Sequence, residues 1–171
     1  MILANLGKLA IAQSFPAGSA TDSENVLGIH TDAAGIDYSN LTDVWFVVDT
    51  YSAATGDSSD TYKFALVVAK EAALTNIKEI VAVTITDYED PRLATPGNHI
   101  IAVNVGKMLK DALGDDGSDY EFVGMIGTIS AGAAVYVDAS LSPSEPPTVS
   151  HAMLTESPVG TITVASDGSG A

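Results

Sequence analysis

The stretch that most constrains the fold is 120–141, YEFVGMIGTISAGAAVYVDASL, in which two β-patterned runs flank Ser130, Ala131 and Gly132. In the second run Ala133, Val135, Val137, Ala139 and Leu141 are apolar, whereas Tyr136, Asp138 and Ser140 tolerate water. A period of two marks a strand with one buried face. The first run departs from this. Tyr120, Phe122 and Ile126 make one face apolar, and Val123, Met125 and Ile129 do the same for the other. Such a strand lies in a sheet covered on both sides or presses against another molecule. The stretch reads as a hairpin, with Val123, Met125 and Ile129 assigned to the core ahead of a subunit contact. Gly124 and Gly127, inside the first run, leave room for a close neighbour or a bulge.

The rest of the chain is written in the same alphabet. Residues 43–51 (DVWFVVDTY) put Val44, Phe46 and Val48 on one face and Trp45, Val47 and Tyr51 on the other. Residues 61–69 (TYKFALVVA) alternate with Tyr62, Phe64, Leu66 and Val68 on one side, and 80–86 (IVAVTIT) are rich in β-branched residues. A weak strand is expected at 20–29, another strand at 98–106, and one short strand within 160–165. Apart from the N-terminus, helix is expected only over 107–113, ended by Gly114, with a single turn at 70–76. Seven or eight short strands with turn signals between them predict an all-β fold, a jelly-roll-like antiparallel β-sandwich. Residues 1–16 read as an N-terminal arm, short helix or extended segment. Residues 17–142 form the sandwich, and 143–171 a Pro-rich C-terminal extension.

Composition removes several functions. The 22 acidic residues against 7 basic ones give a net charge of −15, which repels phosphate backbones and excludes nucleic acid as a partner of a basic face. There is no cysteine, so disulfides, thiolate catalysis and Cys-zinc sites are excluded. No run approaches the ~20 apolar residues of a membrane span. The apolar start, MILANLGKLAIAQSF, lacks the basic region and cleavage pattern of a signal peptide, and Lys8 interrupts it.

Reactive groups are scarce. His30, His99 and His151 are far apart in sequence and form no zinc-binding spacing. His99, alone in a strand, reads as structural. No nucleophile elbow, phosphate loop or dinucleotide fingerprint is present. Acidic clusters at 57–60, 87–90 and 115–119 have the oxygen ligands that calcium requires. None has EF-hand spacing, and they read first as solvated turns. Asp49, within a strand, needs a partner if buried; a loop N–H or Lys63 would serve. The expectation is a non-enzyme with no cofactor and no metal.

What the chain has in place of chemistry is apolar ends. Ile2, Leu3, Leu6 and Leu9 at the start, and Val149, Met153, Leu154 and Val159 in the extension, are the candidate assembly contacts. An apolar arm at a chain end must dock on something to stay in solution. The extension, laid across a neighbour as an added strand, would gain backbone hydrogen bonds and bury its apolar side chains.

Certain segments resemble a known family. Met1-Ile2-Leu3 followed by the Gln-bearing Ala12-Gln13-Ser14, the strand and loop 47–56 (VVDTYSAATG), and 127–132 (GTISAG) leading into Val135-Tyr136-Val137-Asp138 are similar to segments of the cement, or decoration, proteins of short-tailed bacteriophages. The resemblance covers about residues 1–141. The chain departs from it after Ser142 and in the acidic segment 107–119. It implies a small jelly roll, made in the host cytoplasm, that sits on the outer face of the icosahedral virion. Its partners would be the major capsid protein and further copies of itself, as a dimer or trimer. An extracellular calcium-dependent β-sandwich module, adhesive or from a surface layer, is the alternative expectation.

Overall fold

A computed structural model describes residues 7–30, 35–50, 60–86, 101–113, 120–130, 134–143 and 162–165 of the 171-residue chain. Among these residues, ten strands and one helix follow in order: β1 (Lys8–Phe15), β2 (Ala20–Asp22), β3 (Leu27–Gly28), β4 (Trp45–Thr50), β5 (Thr61–Ala69), β6 (Ile77–Thr86), β7 (Ile101–Asn104), α1 (Gly106–Leu113), β8 (Phe122–Ile129), β9 (Val135–Ser142) and β10 (Ile162–Ala165). They form two antiparallel sheets, one ordered β1-β9-β4-β7 and the other β10-β6-β5-β8-β2, with β3 also on β8. The chain is an all-β sandwich.

Alternation builds the core between the sheets. Val44 just before β4, Phe46 and Val48 within it, and Val135, Val137, Ala139 and Leu141 of β9 face Tyr62, Phe64, Leu66 and Val68 of β5 across one apolar cluster. Phe15 meets Phe64 edge to face, ring centroids 6.1 Å apart, an arrangement aromatic quadrupoles favour. Val123, Met125 and Ile129 join the same cluster, fully buried. At one end α1 adds Leu109, Ala112 and Leu113. Asn104 accepts from the N–H of Gly106 at the helix start, and Lys78 donates to the carbonyl of Ala112 in its last turn, satisfying groups that a helix leaves open.

The second apolar face of β8 also has an explanation. Phe122 and Ile126 pack with Ala65, Val67, Ala69, Leu74 and Ala82 in a smaller cluster on the outer side of that sheet. Segment 70–76, expected as a helical turn, is instead a turn in which Leu74 and Asn76 take positive φ, 51° and 52°. This left-handed backbone is uncommon for leucine. It lays Leu74 directly over Gly124, where an added Cβ would stand 2.7 Å from its methyl carbon.

Three expectations are corrected. Stretch 120–141 is not a hairpin: β8 lies between β5 and β2, whereas β9 lies between β1 and β4 in the opposite sheet. Both edges of β8 are already paired, so β9 belongs to the opposite sheet. Residues 8–15, assigned to an arm, are the edge strand β1, antiparallel to β9. Leu9 faces the chain's own core.

Candidate functional site

The four sheet edges are where this architecture meets its surroundings, since an edge strand carries unpaired backbone groups. β1 bounds the first sheet and is irregular. Its pairing with β9 slips between Lys8 and Ala10 and again between Ala10 and Gln13. Ala12 there adopts φ 47°. The carboxylate of Asp138 accepts from the N–H of Ala12 at 2.7 Å, and Glu24 Oε1 accepts from the N–H of Ile11 at the same distance. Gln13 is clasped in turn: its amide donates to the carbonyl of Asp22, and its side-chain oxygen accepts from the N–H of Glu24. The carbonyl of Leu9 accepts from Asn25. Loop 22–25 therefore closes the outer side of β1, a way of blocking an edge with side chains and a bulge.

The second sheet is bounded differently. β2 is only three residues long. At the other side β10 pairs with β6 in the register Ile162↔Ile85, Thr163↔Thr84, Val164↔Val83 and Ala165↔Ala82. β6 is itself a long, apolar strand, with Ile80, Val81, Val83 and Ile85 fully buried. A bulge at Ile80 of β6, opposite Leu66 and Val67 of β5, lets Ile80 and Val81 both face inward. Without β10 its backbone would lie open along 82–85.

Of the candidate assembly contacts, Leu9 is fully buried beneath β1 and offers nothing to a partner. Apolar spacing at a chain end reads alike for an arm and for an edge strand. Ile2, Leu3, Leu6, Val149, Met153, Leu154 and Val159 lie outside the described residues. Among the described residues, the large apolar side chains exposed on the first sheet are Ile11 and Tyr136.

No group of three or more acidic or histidine side chains among the described residues could hold a metal ion. His30 is exposed beyond β3; His99, His151 and the acidic segments 57–59, 87–90 and 115–119 lie outside the described residues, while Asp60 is buried. Asp49 stands opposite Asp138 on adjacent strands. Lys63, considered as its partner, instead pairs with Glu79 at 3.1 Å on the other sheet. Asp37 is a loop anchor: the Ser39 hydroxyl first, then Asn40 and the Ser39 N–H, hold its carboxyl below the usual range, with His30 adding a smaller attraction and desolvation opposing.

Among the described residues no helix is long and apolar enough to cross a membrane. No protein-family model, no curated protein and no solved structure matches the chain.

Proposed function

We propose that this chain is a non-enzymatic cement protein of a phage virion, binding the outer face of the icosahedral shell and stapling neighbouring major capsid proteins. The observation that carries the reading is where the two apolar ends attach. The segment bearing Ile2, Leu3 and Leu6 enters β1, the edge strand of one sheet. The segment bearing Val149, Met153, Leu154 and Val159 runs into β10, the edge strand of the other. A packed sandwich thus spaces the two strands into which these segments run, one in each sheet, as a staple requires.

Within this reading the sandwich is a jelly roll. Its support is the strand order: β1-β9-β4-β7 facing β6-β5-β8-β2 sets the first strand beside the ninth and the second beside the eighth, as two wound Greek keys do. The net charge of −15 suits a protein on the outside of a particle, away from packaged DNA. A shell under internal pressure fails at its weakest capsomer contacts. A bridging protein adds on the order of 1,000 Å² of interface at each, and many copies act together.

The test compares shells with and without the protein. The expected result is that it co-sediments with intact shells, that shells lacking it rupture at lower temperature, and that adding it back restores them. Equal thermal survival with no co-sedimentation rejects the proposal.

A further inference from the structure

We infer that β10 is an exchangeable strand, and that the β6 edge along residues 82–85 is a docking site for the β10 of a second copy of this chain. The geometry of the connection carries this. Only residues 130–134 separate the end of β8 from the start of β9, and Ser130 is tied to Thr61 by two hydrogen bonds. Tyr62 is in register with both Ile129 and Ile85, and Ile85 with Ile162. β10 therefore begins at the end of the sandwich where β9 begins. β9 finishes at the opposite end, where Ser142 pairs with Trp45.

To place β10 on its own β6, residues 143–161 must return the length of β9, about 25 Å, and cross about 10 Å between sheets. Those residues span roughly 60 Å when extended. They include Pro143, Pro146, Pro147 and Pro158, which disfavour a continuous paired strand within the tether. A tether able to cover this distance over its own molecule reaches a neighbour's edge equally well. The two ends of the tether lie too far apart for a tight turn to commit β10 to its own chain, and the four register pairs are the same in either arrangement. The occupant is a second copy because the matching four-residue strand is already present in every chain; such exchange is a low-cost route to oligomers. The exchange becomes dominant where copies are crowded enough to compete with the tether's own effective concentration.

The absence of cysteine makes the test direct. One full-length chain carries Thr84→Cys, and a second, distinguishable by a tag, carries Thr163→Cys. The two are unfolded, refolded together at high concentration and mildly oxidised. Register partners on antiparallel strands lie within disulfide reach. The expected product is a covalent heterodimer exceeding the Thr84→Cys homodimer by roughly tenfold or more, the advantage of a docked pair over random collision. A single chain with both substitutions controls for folding and register. Closure within that chain, with heterodimer no more abundant than the homodimer, overturns the inference. The readout uses free protein without a shell, so failure here and failure of the cement reading are distinguishable.

Discussion

Gly127 and Gly124 show how much a missing side chain can determine. An added Cβ at Gly127 would stand 2.2 Å from Cδ1 of Phe15, a ring buried between the sheets and fixed against Phe64. At Gly124 the obstacle is the end of Leu74, a flexible side chain on a surface turn. Gly127→Ala is therefore expected to cost about 1–3 kcal/mol, the range for overpacking a filled core, and Gly124→Ala clearly less; chemical denaturation of both variants checks the order. Room for a close neighbour was legible at both glycines. Which neighbours filled it was not, since Phe15 and Leu74 are remote in sequence. Asp37 gives a pH signature. Its folded-state pKa is lowered, so its contribution is fully present above the ordinary carboxylate value and is lost as pH falls through the lowered one. Carbon-detected NMR is expected to show Asp37 titrating below an ordinary aspartate, and Ser39→Ala to move it upward.

At the scale of elements, strands were easier to read than their partners. The alternations of β4, β5 and β9 follow from side chains choosing between core and water every second residue, and those faces are as expected. Pairing depends on residues far away. The Ser130–Gly132 turn signal has hairpin length, yet β8 is apolar on both faces because it lies inside a sheet, and β5 and β2 leave no edge for β9. For the same reason β1 passed for an arm. Its bulge rests on Asp138, whose carboxylate holds the Ala12 N–H while facing Asp49 across the strands. Asp138→Ala is expected to cost about 1–2 kcal/mol through an unsatisfied N–H. Asp138→Asn keeps an acceptor and relieves a like-charge pair, so its cost is smaller. Melting curves of the two variants check this.

For the whole molecule, 22 acids against 7 bases make self-repulsion a general cost of compaction. Raising sodium chloride from low concentration toward physiological ionic strength is expected to raise the melting temperature, because screening shortens the range of that repulsion. Calcium, compared with magnesium at equal ionic strength, is expected to give no extra rise. A specific increase with calcium would favour the adhesive-module alternative, since a ligand bound only by the folded state stabilises it. Of the candidate assembly contacts, Leu9 alone falls among the described residues. Composition shows that chain ends are apolar, and only the fold decides whether they turn inward, as Leu9 does.

The pairing of β1 with β9 also sets a timetable for synthesis. The bond between Ala12 and Asp138 spans 126 positions, so the first strand made has no partner until nearly the last strand of the sandwich has left the ribosome. Until then the apolar side of β1 is exposed, and folding must close a very long loop, which places such topologies among the slow folders. Nascent chains halted before β9 is released are therefore expected to be protease-sensitive throughout, with protection arriving in one step once β9 clears the exit tunnel.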